Sequence, residues 1–259
     1  ELIEKQIRKI HHTNTMVLTP EVLDACKKMG EINSDGLSKT IFLSTGAEAN
    51  ECALRYAKFI TKKDNIISFT KGYHGLTHAL QCLTMNGDWA RPKIKEYEQV
   101  EVPDVLYKDQ DIEEAEYIEN CLKSAEEIIV KNKDKIAAII VELVLGVGGM
   151  IILPKEYVKR LREICLDNNI LFIVDECQTG FGRTGHWFAY QYYDIIPDIV
   201  VTAKMMGLGF PVSAVTFNKN IIKNVEGKIT HFSSHQNDPF TASIASFMID
   251  TMREEGILG

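Results

Sequence analysis

Lys204 is the one ionisable residue in the stretch Val200 to Val215, "VVTAKMMGLGFPVSAV". An unpaired ammonium is expensive to bury, so such a lysine either reaches water or becomes a neutral amine. A neutral amine at this place could attack a carbonyl carbon. Asp175 poses a related question. It follows five apolar residues in "ILFIVDE" and then enters "VDECQTGFGRTG". A carboxylate at a buried strand end needs a cationic or N–H partner. A pyridinium nitrogen would serve, and so would Arg183.

Other stretches carry further chemistry. Ser44-Thr45-Gly46-Ala47 is a small-residue turn leading into a helical pattern. Its backbone N–H groups could hold a phosphate, or it could be an ordinary helix cap. "LGVGGM" (Leu145 to Met150) echoes a dinucleotide-binding glycine pattern, but "IILP" follows it and opens no helix, so that reading fails. His74 and His78, and His231 and His235, are spaced four apart, with Asp238 near the second pair. Helical spacing of this kind can bind zinc. Yet there is no His-Glu-x-x-His, Ser233-Ser234 is a weak helix former, and neither pair has a third ligand of known position.

These residues need elements to hold them. Thr19 before Pro20 predicts a hydroxyl-capped helix running to about Gly30. "TIFLS" (Thr40 to Ser44) predicts a strand, followed by a helix with Cys52, Ala53, Tyr56, Ala57 and Ile60 on one face. Further strands are expected at "NIISFT", "IAAIIVE", "ILFIVDE" and "DIVVTAK", with a helix at "KEYVKRLREICLDNN". The charged stretch from about Asn86 to Gln110 predicts no element. Apolar strands alternating with amphipathic helices imply an α/β fold with a mostly parallel sheet, helices covering both faces. Ligands of such sheets lie at the carboxyl ends of the strands. There stand Ser44-Thr45-Gly46, Gly72-Tyr73-His74-Gly75, Glu142, Asp175 and Lys204.

Composition narrows the classes. The 259 residues are 45% apolar and 25% charged, as in a globular chain, and the net charge of −7 argues against nucleic acid or an anionic membrane surface. The six scattered cysteines include no Cys-x-x-Cys pair, which predicts free thiols in a reducing compartment. Ile136 to Leu153 is long enough to test as a membrane span, but Glu142 and three glycines favour a buried strand and a turn. A cytoplasmic location is the expectation.

"STGAEANE", "GYHG", "VDECQTGFGRTG", "PDIVVTAK" and "SSHQNDP" occur in the order and rough spacing of class III aminotransferases, and the resemblance runs through nearly the whole chain. Within that family "STGAEANE" and "SSHQNDP" look most like dialkylglycine decarboxylase, a decarboxylating transaminase. The resemblance implies a fold type I large domain, pyridoxal 5′-phosphate, a small-molecule amino donor and oxo acceptor, and a homodimer or higher homo-oligomer. It implies that Lys204 forms a Schiff base with the cofactor and then shuttles protons. By the same resemblance Asp175 holds the pyridine nitrogen protonated and Gln178 lies near the ring's phenolic oxygen. Tyr73 stacks on the ring with His74 beside it, and Cys177 stands where a small apolar residue usually packs under it. Ser44, Thr45, Gly46 and Ala47 match the phosphate cup, and Glu142 matches a glutamate near the cofactor. Ser234 stands where a threonine usually reaches the phosphate of a neighbouring subunit. Thr15, Ser234 and Asp238 fall where oxygen ligands of an alkali cation would lie.

After Glu142 the sequence "LVLGVGG" departs from the common "PVQSEGG", which leaves the substrate open. Family members are longer at both ends. Residues 1–259 are therefore expected to be the cofactor-binding large domain, incomplete at the N-terminus and without the small C-terminal domain. That domain normally supplies the arginine for a substrate carboxylate. Arg55, Arg91, Arg160, Arg162 and Arg183 offer no convincing replacement. A truncated, non-catalytic homologue is the alternative.

Overall fold

A computed structural model describes residues 1–85, 94–106, 108–109, 111–223 and 225–258. In chain order the elements are α1 (Leu2–Lys9), α2 (Pro20–Ile32), β1 (Leu37–Leu43), α3 (Gly46–Thr61), β2 (Asn65–Phe69), β3 (Tyr97–Val100) and α4 (Glu114–Asn132). They continue with β4 (Ile136–Val141), β5 (Val144–Leu145), β6 (Ile151–Ile152), α5 (Lys155–Asp167), β7 (Leu171–Asp175) and α6 (Ala189–Tyr192). The last are β8 (Ile199–Thr202), β9 (Ser213–Asn218), α7 (Lys219–Ile222) and α8 (Pro239–Glu254).

Seven strands form one sheet in the order β1-β9-β8-β7-β4-β2-β3. The pairs β2 with β3, β2 with β4, β4 with β7 and β7 with β8 are parallel. β9 runs antiparallel to both β8 and β1, which leaves β1 parallel to the rest. The expected mostly parallel sheet is present, with β9 its one reversed strand. Successive side chains of a strand point to opposite faces. Ile139, Val141, Phe172, Val174 and Val200 accordingly join one buried cluster, with residues of α2, α4, α5 and α8. Ala138, Ile140, Ile173, Ile199 and Val201 join a second, with the apolar face of α3. Continuous apolar strands follow from this two-sided cover.

Several boundaries differ from expectation. α2 continues to Ile32, and Thr19 precedes it without a side-chain capping bond, so proline's fixed φ marks the start. β3 emerges inside the stretch that predicted no element, and α4, α8 and β9 had no counterpart in the sequence reading. α8 is buried almost all round, including Thr241, Ser243 and Ser246, so it shows little polar face to mark it as a helix. The glycines of "LGVGGM" form the turn of the β5–β6 hairpin, where a Cβ on Gly148 would meet Lys71 O at 2.3 Å. Among the described residues no two cysteines form a disulfide, and no helix is long and apolar enough to cross a membrane.

One buried ion pair pins the sheet's amino end. Arg162 on α5 donates two bonds to Asp198, at 2.8 and 3.0 Å, and a third to Ile196 O at 3.2 Å. Asp198 also accepts from Phe172 N at 2.8 Å. Arg162→Ala would strand that carboxylate and is expected to cost about 3–5 kcal/mol of unfolding free energy in urea titrations. A loss below about 1 kcal/mol would mean that solvent already screens the pair.

Candidate active site

Because β1, β2, β4, β7 and β8 are parallel, their carboxyl ends meet along one edge of the sheet. After β1 the chain turns into α3 through Thr45. Its hydroxyl accepts from Glu48 N at 3.2 Å, and Glu48 in turn accepts from Ser44 N at 3.0 Å. Ser213 of β9 donates to Thr45 O at 2.8 Å. With the turn fixed, the first N–H groups of α3, at Gly46 and Ala47, lie at the positive end of the helix. A Cβ on Gly46 would meet Cys177 Sγ at 2.9 Å and Ala203 Cβ at 3.4 Å. That contact brings the α3 turn, the loop after Asp175 and the approach to Lys204 into one place.

Asp175 ends β7 and is 3% exposed. It lies on the α3 face, two residues beyond Ile173. Its Oδ2 accepts from Asn50 Nδ2 at 2.8 Å and pairs with His74 Nδ1 at 2.9 Å, while Oδ1 accepts from Cys177 N at 3.1 Å. Burial pushes this carboxyl's pKa up. The bond and charge of His74, with the N–H donors of Cys177 and Asn50, outweigh burial and leave it lowered. Arg183, the alternative partner, is exposed in its turn. Glu176 next to it faces the other way, to Thr179 and Tyr190 N, and burial raises its pKa to about 7. The Cys177 thiol is pushed well above its usual value, first by burial and then by Asp175, so it stays neutral.

Glu142 follows β4 and is 5% exposed. Its Oε1 accepts from Tyr73 N at 2.6 Å, tying the β4 end to the Gly72–Gly75 turn. Burial, countered by His74 and reinforced by Asp175, raises its pKa from 4.5 to about 7. A carboxyl whose folded pKa is raised stabilises the fold below its unfolded pKa and loses that contribution as pH rises through the folded one. Glu142→Gln is therefore expected to gain about 1–3 kcal/mol of stability at pH 8 and nothing at pH 4. Urea titrations at both pH values check this, and an equal gain at both would exclude the titration of Glu142 as the cause.

The strand expected at "DIVVTAK" ends before Lys204. β8 stops at Thr202, and Lys204 opens the short 3-10 turn Lys204–Gly207 at φ 46°. The side chain is exposed, in line with the reading of a lysine that reaches water, and its Nζ donates to Gln178 Oε1 at 2.5 Å. A left-handed backbone is costly for a residue with a Cβ. Here it swings the amine from the sheet toward the loop after Asp175.

A family model for class-III aminotransferases matches residues 1–259. The chain belongs to the class III aminotransferases. It is 31% identical to the acetylornithine aminotransferase of Archaeoglobus fulgidus, over all of this chain and 64% of that protein. To an uncharacterized aminotransferase of Schizosaccharomyces pombe it is also 31% identical, over 99% of this chain and 58% of that protein. The crystal structure of an (S)-enantioselective omega-transaminase from Thermomicrobium roseum superposes with a TM-score of 0.92 at 26% identity, over 98% of this chain and 60% of that one. The chain thus spans 58% to 64% of the length of the two curated relatives named.

Class III aminotransferases are fold type I enzymes that use pyridoxal 5′-phosphate, and the residues at this edge fit that group. An accessible primary amine, a buried carboxylate kept anionic and a helix N-terminus opened by a glycine are brought together. Two contributors escaped the sequence reading. Asn50 is 1% exposed and bridges Asp175 to His74 O at 2.9 Å. A polar residue on the face of Ala53 and Ala57 was its only signal. Thr84 accepts from His74 N at 3.1 Å and donates to Gly75 O at 2.9 Å, holding the turn that carries Tyr73. Nothing in its neighbourhood of the sequence marks it.

The remaining residues lie elsewhere. Ser234 is exposed, Thr15 is half-buried, and Asp238 is buried with its oxygens facing His12 and His235. His74 is buried against Asp175 whereas His78 is exposed, so that pair makes no metal site. Arg162 is committed to Asp198, Arg55 and Arg160 are exposed, and Arg91 lies outside the described residues.

Proposed function

We propose that this chain binds pyridoxal 5′-phosphate through Lys204 and serves transfer of an amino group between an amine or amino acid and a 2-oxo acid or aldehyde. The observation that carries the reading is the pairing of an accessible Lys204 amine with a buried, ionised Asp175 at neighbouring strand ends. When bound, the cofactor supplies an aldehyde that captures amines and a cationic ring that draws electrons from a bond at the amine's carbon. Asp175 would hold a proton on the ring nitrogen. His74, Asn50 and Cys177 N keep that carboxylate charged and fixed. Lys204 Nζ would hold the cofactor covalently and, as a free amine, would take and return a proton at the substrate carbon. Gln178 orients that amine. Gly46 and Ala47 receive the phosphate, with Ser44 and Thr45 shaping their turn. Tyr73 covers the ring, positioned by Glu142, and Cys177 closes the space beside Gly46.

The working unit in this reading is a homodimer, in which the exposed Ser234 reaches the phosphate of a second copy. Leu2, Ile3, Leu208, Phe210, Ile244 and Phe247 line an open apolar groove that a second copy would cover. Substrate binding draws on an arginine other than Arg55, Arg91, Arg160, Arg162 and Arg183, because none of these five is both described and free at the strand ends. A cytoplasmic location fits the absence of disulfides among the described cysteines. A decarboxylating course rests on the "STGAEANE" and "SSHQNDP" resemblance alone. Borohydride reduction of the loaded protein followed by peptide mapping should place a pyridoxyl group on Lys204. A label on another lysine would overturn the assignment. Carbon dioxide release from a dialkylated amino acid would favour the decarboxylating course.

A further inference from the structure

We propose that His12, His235 and Asp238 form a binding site for a divalent transition cation of the zinc class. His12 and His235 are 223 positions apart in the chain, and only the fold joins them. His12 Nδ1 lies 2.6 Å from one oxygen of Asp238, and His235 Nδ1 lies 2.6 Å from the other. The two ring centroids are 4.9 Å apart. The ligand atoms of all three residues fall within 4.8 Å of one another, and no other group of three such residues does so among those described.

Asp238 behaves unlike an ordinary cap residue. It is the N-cap of α8, where an aspartate normally accepts from the first turn, yet its side chain makes no capping bond. Its carboxylate is turned instead toward the two imidazoles and is only 5% exposed. The backbone beneath is tied to the sheet. Asn237 N donates to Phe42 O at 3.0 Å, and Asn237 Oδ1 accepts from Phe42 N at 2.9 Å, clamping the loop to β1. The imidazoles are exposed enough to rotate by small amounts and open to a cleft of about 440 Å³ that Ser44 and Pro211 also line. Two imidazole nitrogens and one carboxylate oxygen, with water in the fourth position, suit zinc. His231, four positions before His235, is not part of the group: both its ring nitrogens are buried without a hydrogen-bond partner among the described residues. A bound cation would staple the segment after α1 to the start of α8, beside the Ser44 turn. Nitrogen donors on both sides of Asp238 favour such an ion over an alkali cation held by Thr15, Ser234 and Asp238.

The test is equilibrium dialysis of chelator-treated protein against zinc alone, near neutral pH and without pyridoxal phosphate. One zinc per chain is expected. His12→Gln and His235→Gln should each weaken binding at least about tenfold, while His78→Gln, at an exposed histidine outside the group, should not. Cobalt(II) should give visible d–d bands without a thiolate charge-transfer band. The exposed histidine variants remain informative even if Asp238→Asn fails to fold. Zinc bound equally by all variants, bound through thiolate, or not bound would overturn the proposal. So would potassium binding lost in Ser234→Ala but not in His12→Gln.

Discussion

Lys204→Ala is expected to lower amino-group transfer by at least about 10⁴-fold, the upper end of what one positioned acid–base group supplies, because the same amine also makes the covalent link. Cofactor should still bind, but without the absorbance of the linked form, since the α3 turn and Asp175 are untouched. The readout is single-turnover consumption of an amino donor by the full-length protein. A small alkylamine added to the variant should restore part of the rate, which a merely structural role for Lys204 would not allow. A second comparison isolates the backbone. Lys204 sits at φ 46°, a region that costs a residue with a Cβ roughly 1–2 kcal/mol. Lys204→Gly should therefore be about 1 kcal/mol more stable than Lys204→Ala while equally inactive. Equal stability would show that the turn carries no such strain.

Asp175→Asn is expected to reduce turnover by about 10²–10⁴-fold with modest loss of cofactor. The amide keeps the shape and can still accept from Asn50, but it removes the buried negative charge, a change worth about 3–5 kcal/mol where a buried pair is broken. The pH dependence separates this from a titration. Asp175's folded pKa is lowered, so its stabilising contribution is present above its unfolded value and is lost only as pH falls through the folded one. The deficit of the variant should accordingly be constant between pH 6 and 8. Near-normal rates would make the carboxylate structural. A deficit that closes within that range would mean that Asp175 is not ionised as its partners imply. His74 supports Asp175 from behind, so His74→Ala should lower the rate less than Asp175→Asn does.

The alternation of apolar strands and amphipathic helices was legible because a sheet covered on both faces admits few polar residues. Ile136–Val141 are buried throughout, as is Leu171–Asp175 apart from the partly buried Leu171, and Asp175 stood out as the first charge after such a run. Its partners were not legible. Asn50 and His74 lie 125 and 101 residues from Asp175, and hydrogen bonds across the sheet leave no periodic trace in the chain. β9 escaped for another reason. "SAVTFN" was given no strand in the sequence reading, and its direction is set by pairing with β1 and β8, not by composition.

Local chemistry in the chain itself determined the types of group available: an amine in an apolar segment, a carboxylate at a buried strand end, and a glycine turn before a helix. Residue type sets nucleophilicity, charge and backbone freedom before any folding occurs. Only the tertiary structure decided their disposition. It exposed Lys204 rather than burying it, because the left-handed turn after Thr202 carries the amine out of the sheet. It gave Asp175 three hydrogen-bonding partners and turned the adjacent Glu176 toward other partners, because successive strand residues point to opposite faces. It also set His12 and His235 on the two oxygens of Asp238, a contact that closes only when α8 packs against α1 and α2.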